Sequence, residues 1–295
     1  MSDRILITGG AGFIGKNLIE ELRRQDYEVV NLSRGSQVEK IENINIDIRD
    51  GDISQLDEYK FKYVIHLAGV SSAKEATSKK DETIETNLGG TKKLLEYFAD
   101  RDLKKFIFMS SINVYRGGGK LIEASDDLVD ENGSIYAYSK LLSEEECDKY
   151  RSKMPVLTFR LTNAYGPYQR RSSRPNLIPQ VIPQAINEKK IEIYNGNFSR
   201  DFIYISDVVN ALISGLQQDF TGTLNLGTGM ATKTLEIAKR VAEIADVEWE
   251  DLKKNIKDPL ELVPDTTLIR KSLGWESQVG LEEGLRRTWE YYVRA

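Results

Sequence analysis

The chain has 295 residues, 40% hydrophobic and 29% charged: ordinary globular composition, long enough for one large domain or two closely joined lobes. A net charge of −5 argues against a broad nucleic-acid surface, and a single cysteine, Cys147, excludes an intrachain disulfide, which suits a reducing compartment. One histidine, His66, leaves no material for a His-based hydrolytic triad or a His-rich site, so no metal is expected.

The first residues, MSDRILITGG, show no basic segment followed by an apolar one, and no apolar run is long enough to span a bilayer. A cytoplasmic protein with no membrane partner is expected. Ile5, Leu6 and Ile7 form a short, non-alternating apolar run that reads as a buried parallel strand. It leads into TGGAGFIG at residues 8–15, followed by a helical pattern of Phe13, Ile14, Leu18, Ile19 and Leu22. Gly9, Gly12 and Gly15 lie three apart across this junction. A tight turn, close approach to a diphosphate and helix-on-strand packing each exclude a Cβ there. The helix start, with Phe13 and Ile14, offers free N–H groups and a positive dipole end, which favours a dinucleotide held by its pyrophosphate. The plain alternative is a glycine-rich turn in an unrelated α/β protein.

A second strand is expected at Glu28 to Leu32, ending in Ser33 and Arg34. In NAD-binding folds an acid here accepts from the ribose 2′-hydroxyl. A hydroxyl and a guanidinium suit a 2′-phosphate instead, so NADP(H) is favoured and NAD remains open; the alternative has Arg34 stacking on adenine or facing water. Ile44 to Ile48 reads as the third strand, with Asp47 placed to accept from the adenine amino group and Ile48 beside it. Asp50 and Asp52 read as caps of the short helix that follows. The fourth strand, Tyr63 to Leu67, runs into Ala68 and Gly69; small residues after Leu67 let the backbone lie against the cofactor. His66, among apolar neighbours, reads as a core residue, as does Cys147. Asp81 to Phe98 reads as one long helix carrying Asn87, and Phe106 to Met109 as a fifth strand ending in Ser110 and Ser111. Strands alternating with helices imply a doubly wound parallel sheet with ligands at its carboxyl edge.

Ser134 to Tyr150 reads as a helix with Ser134 as N-cap, and it places Tyr136 and Lys140 at i and i+4 on one face. A phenol with a pKa near 10 is a poor acid–base at neutral pH. The Lys140 ammonium and a cationic nicotinamide together would lower that value. This places Tyr136 and Lys140 at the cofactor too, Lys140 on the nicotinamide ribose hydroxyls. With Tyr136 acting on a substrate carbonyl oxygen, Ser111 would donate a second hydrogen bond to that oxygen as it gains charge. Such Tyr/Lys pairs also arise by chance on many helices. Tyr138, the rival tyrosine, faces elsewhere.

The ordered set TGGAGFIG, HLAG from His66, NLGGT from Asn87, SSINVY from Ser110, YAYSK from Tyr136, RLTNAYGP from Arg160, RDFIYISD from Arg200 and SLGW from Ser272 resembles the extended short-chain dehydrogenase/reductases of the nucleotide-sugar epimerase, dehydratase and reductase family. The resemblance implies Ser111, Tyr136 and Lys140 as catalytic residues, with Asn87 at the cofactor. It implies an α/β fold: a Rossmann-type domain over residues 1–163, with returning segments near 198–228, and a smaller, mostly α lobe over 164–295 that binds a nucleoside-diphosphate sugar. Asn163, Asn176 and Leu177 would line the sugar path, Tyr194 would pack on the nucleobase and Arg200 would pair with the diphosphate. One arginine of the loop after Gln169 would touch substrate, and Lys257 would replace an arginine of the relatives. Asp201 reads as structural, and Asp207 as the start of a helix with help from Ser206. A homodimer through the helices bearing Asn87 and Tyr136 is implied.

Dehydratases of this family carry an acid pair directly after the serine position, where this chain has Ile112 and Asn113. The expectation is therefore NADPH-dependent reduction of the C4 ketone of a 4-keto-6-deoxy sugar. The alternatives are an NAD-dependent 4-epimerase and a non-catalytic NADP-binding sensor or scaffold.

Overall fold

A computed structural model describes residues 3–117, 121–169, 176–255 and 259–294. The expected arginine contact falls on Arg170 to Arg174, and the expected substitution on Lys257; both lie outside the described residues.

A seven-stranded parallel sheet forms the centre. Its strands are β1 (Arg4–Thr8), β2 (Glu28–Ser33), β3 (Glu42–Asn45), β4 (Phe61–His66), β5 (Lys105–Ser111), β6 (Val156–Leu161) and a returning strand, Gly222–Leu226. The order is Gly222–Leu226, β6, β5, β4, β1, β2, β3. Chain order therefore reverses between β1 and β4, where Ile5 pairs with Val29 on one side and Tyr63 on the other. Reversal splays the loops that leave β1 and β4 to opposite faces and opens a crevice at their carboxyl ends. The strands read as continuous apolar runs because helices cover both faces: Ile5, Ile7 and Leu18 belong to one core cluster, Leu6, Val30 and Cys147 to the other.

Several elements differ from expectation. The third strand ends at Asn45, so Asp47 and Ile48 lie in the loop beyond it. The helix expected over 81–98 is three pieces, α3 (Lys80–Ile84), a π-helical turn (Glu85–Gly89) and α4 (Gly90–Phe98), and a short helix, α2 (Ala73–Ser78), precedes them. The turn carries Asn87, whose buried amide is tied to Val70 and Ser139. Helix α5 (Ile135–Tyr150) does start after Ser134, whose side chain makes no capping bond. Asp52 caps its short helix through the Ser54 N–H at 2.8 Å. Asp207 starts nothing: Tyr204 is the N-cap of the helix Ile205–Gln217, and the Asp207 carboxylate accepts from the N–H groups of Gln278 and Val279. It thus anchors the approach to the last helix, Leu281–Arg294. Asp201 is structural, accepting from the N–H groups of Thr228 and Gly229 at 3.1 and 2.6 Å.

Candidate active site

A crevice of about 720 Å³ opens at the carboxyl ends of β1, β2, β4, β5 and β6. Gly9, Gly12, Phe13, Ile14 and Gly15 form one wall. The turn is packed at backbone level. Gly9 has φ +73°, and a Cβ on it would stand 2.9 Å from the Ala68 backbone. A Cβ on Gly15 would stand 2.5 Å from the Gly10 Cα. Gly12 is the N-cap of α1 (Phe13–Arg24), so the first N–H groups of that helix open onto the crevice. A cradle that only glycine fits, ending in free N–H donors, suits a pyrophosphate. Leu67, Ala68 and Gly69 line the facing wall. The structure thus brings together the glycine turn and the β4 loop that the sequence assigned to a cofactor.

At the far end the crevice meets Ser33, Arg34, Asp47 and Ile48. The Ser33 hydroxyl is turned into its own loop, donating to the Ser36 carbonyl and accepting from Asn31. Arg34 lies 3.5 Å from Asp47 and 3.9 Å from Glu82. Asp47 is gripped by Arg49 at 2.7 Å, and Arg49 hydrogen bonds hold its carboxyl down at about 2. Asn87 stands behind Gly69: its Oδ1 accepts from the Val70 N–H at 2.7 Å, and its Nδ2 donates to the Val70 carbonyl and Ser139. It clamps the β4 loop to α5, which positions two walls of the crevice relative to each other.

Ser111, Tyr136 and Lys140 all face this crevice, from the end of β5 and the first two turns of α5. Ser111 Oγ accepts from the Asn113 N–H at 3.2 Å and hydrogen-bonds to the Tyr136 phenol. Lys140 is buried, donates to the Met109 carbonyl at 2.9 Å and lies 4.8 Å over the Phe108 ring. Burial lowers its pKa to about 8. Burial also raises the Tyr136 phenol, offset only in part by the Ser111 hydrogen bond. The ammonium is committed to a backbone carbonyl and is itself desolvated, so the larger influence on the phenol is removal from water. His66 is a core residue, held between Thr8 Oγ1 at 2.6 Å and Thr91 Oγ1 at 3.0 Å.

The profile of the NAD dependent epimerase/dehydratase family matches residues 5–227. The chain belongs to this family. A UDP-N-acetyl-alpha-D-glucosaminuronate decarboxylase of Bacillus cytotoxicus is 30% identical over 99% of this chain and 98% of its own. Among solved structures, the UDP-glucose 4-epimerase of Thermotoga maritima with UDP-glucose has a TM-score of 0.90 and 26% identity, covering 99% of both chains. The UDP-glucose 4-epimerase of Thermus thermophilus in complex with NAD has a TM-score of 0.89 and 26% identity, again over 99% of both.

The residues that family resemblance assigned to substrate are divided. Asn163 and Asn176 line the crevice with Ser111. Leu177 packs against the core, one residue before the helix Ile178–Asn187. Tyr194 is 45% exposed beneath the Lys254 ammonium, 4.4 Å from its ring centroid. Arg200 is buried, donating to the Ser199 carbonyl at 2.8 Å. Sequence reasoning missed Glu75 and Glu82, which line the crevice from α2 and α3, and Arg49, which holds Asp47. Spacing Asp47-x-Arg49 is a legible local pair; α3 was hidden at the start of the expected long helix, and α2 precedes it. Among the described residues no helix is long and apolar enough to cross a membrane, and no cluster of three ligands could hold a metal.

Proposed function

We propose that this family member is an NAD-dependent 4-epimerase of a nucleoside-diphosphate sugar. The observation that carries the reading is the meeting of Ser111, Tyr136 and Lys140 in the crevice beside the glycine turn, with no acid in the two positions after Ser111. Ile112 is a buried aliphatic and Asn113 gives its N–H to Ser111. Neither can protonate a leaving hydroxyl, which disfavours dehydration.

The glycine turn, Leu67 to Gly69 and Asp47 would hold the dinucleotide, whose nicotinamide supplies the acceptor and donor of the C4 hydride. Tyr136 takes the proton of the C4 hydroxyl as the sugar is oxidised and returns it after the sugar has turned. Ser111 donates a hydrogen bond to the same oxygen as it becomes a carbonyl. Lys140, one helical turn from Tyr136, would hold the nicotinamide ribose hydroxyls and, with the bound nicotinamide, oppose negative charge on the phenol. Asn163 and Asn176 face the sugar side, and Arg200 and Tyr194 serve the diphosphate and base. A homodimer through the Asn87- and Tyr136-bearing helices belongs to the same reading, and light scattering tests it.

One observation favours a second reading, NADPH-dependent reduction of a 4-keto-6-deoxy sugar. Arg34 is 65% exposed at the ribose end, where a 2′-phosphate would lie. Incubation of the purified protein with UDP-glucose or UDP-galactose, followed by NMR of the products, separates the readings. Interconversion without net cofactor consumption is expected. NADPH consumption seen only with a 4-keto sugar would replace the epimerase by the reductase. Nucleotide binding with no turnover of any sugar would leave only the sensor.

A further inference from the structure

The ribose end of the crevice holds more charge than the β2 terminus alone supplies. Arg34 comes from the end of β2, Asp47 and Arg49 from the loop after β3, and Glu82 from α3, thirty-five residues after Asp47. One Glu82 oxygen lies 3.3 Å from Arg49 and 3.9 Å from Arg34. The other lies 3.1 Å from Lys79. Asp47 meets both arginines as well, at 2.7 and 3.5 Å. Glu82, Asp47 and Arg34 line the crevice, while Ser33 has spent its hydroxyl on Ser36. Each arginine that could grip a 2′-phosphate is therefore already shared between two carboxylates.

We propose that Glu82 selects NAD over NADP: from α3 it neutralises Arg34 and Arg49 and repels a 2′-phosphate, the task that an acid at the end of β2 performs in NAD-binding folds. The proposal deepens the dinucleotide reading above and rests on it. Its electrostatics are simple. A 2′-phosphate brings about two negative charges within reach of Asp47 and Glu82, and gains little from guanidinium groups whose charge is already balanced. A 2′-hydroxyl brings no charge and can donate to a carboxylate. Removing the Glu82 charge leaves Asp47 alone against Arg34, Arg49 and Lys79. The sum over these groups then rises from +1 to +2, and the two guanidinium groups are no longer matched by two carboxylates.

The test is direct binding, which needs neither sugar nor turnover. NADH and NADPH are titrated into the wild-type protein, Glu82→Gln and Glu82→Gln/Arg34→Ala, and nicotinamide fluorescence gives each Kd. The glutamine keeps size and hydrogen bonding and removes the charge. The expected result is a shift of about tenfold in the Kd ratio toward NADPH in Glu82→Gln, the scale of one partly screened surface charge facing a phosphate. The shift shrinks as salt is added, because exposed charges are screened. The double variant returns toward the wild-type ratio. Because the readout is a ratio, a general loosening of the fold moves both constants together and leaves it unchanged. An unchanged ratio, or one that ignores salt, overturns the proposal while leaving the epimerase reading intact. If the wild-type protein binds neither nucleotide, the dinucleotide reading falls and takes the proposal with it.

Discussion

Acid should destabilise this protein through His66. The ring is fully enclosed between Thr8 and Thr91, with the Phe106 and Phe108 rings 6.3 and 5.7 Å away and no carboxylate among its hydrogen-bond partners. Burial, with a smaller push from the Lys140 ammonium, lowers its pKa from 6.5 to about 3. Between those values the unfolded chain binds a proton that the folded chain refuses, so stability falls as pH drops below 6.5. The loss is about 2 kcal/mol at pH 5 and approaches about 5 kcal/mol below pH 3. Asp201 acts in the opposite sense. Burial raises it from 3.8 to about 6, so the folded chain gains its proton first and recovers about 1.4 kcal/mol by pH 5. The two effects largely cancel in the wild-type curve, and a difference measurement separates them. Urea unfolding of wild type and His66→Gln at pH 7 and pH 5 is the assay. The glutamine variant starts less stable because it loses ring packing, but its stability should fall by about 2 kcal/mol less between the two pH values, or rise. Parallel pH dependence in the two proteins would refute a neutral, buried His66.

Glu144→Gln should cost about 3–5 kcal/mol in urea unfolding, because it strands the Arg160 guanidinium, which is buried and paired to Glu144 at 2.7 Å. Gly15→Ala should cost about 1–3 kcal/mol and weaken NADH binding more than tenfold, since its Cβ would press on Gly10 at 2.5 Å; calorimetric melting and a fluorescence titration read the two effects. Asn87→Ala should leave the fold intact while slowing turnover more than it weakens nucleotide binding. Its amide holds Val70 to Ser139, so its loss loosens the β4 loop against α5. Steady-state kinetics beside the same titration checks this.

Much of this site was legible because it is built from short, local spacing. The glycine turn, the Ala68–Gly69 loop, Ser111 at a strand end and the Tyr136/Lys140 pair each need only a few consecutive residues and one element to be recognised. What escaped depends on partners far away in sequence. The break at Asn87 arises because its amide is drawn to Val70, seventeen residues earlier, and to Ser139, fifty-two later. Glu82 became visible only once α3 was brought beside Arg34 and Arg49. Asp207 looks like a helix starter, yet it is taken by Gln278 and Val279 from the far end of the chain. The sign of the Tyr136 shift could not come from spacing at all, because it is set by burial, against a smaller effect of the Ser111 hydrogen bond.

Removal of a single oxygen tests the account most directly. Tyr136→Phe keeps the ring and the shape of the crevice while deleting the group that carries the proton. The account predicts that NADH still binds with near wild-type affinity and that interconversion of UDP-glucose and UDP-galactose falls by about 10³-fold, within the range of a lost general acid–base. Undiminished interconversion by the phenylalanine enzyme would contradict it.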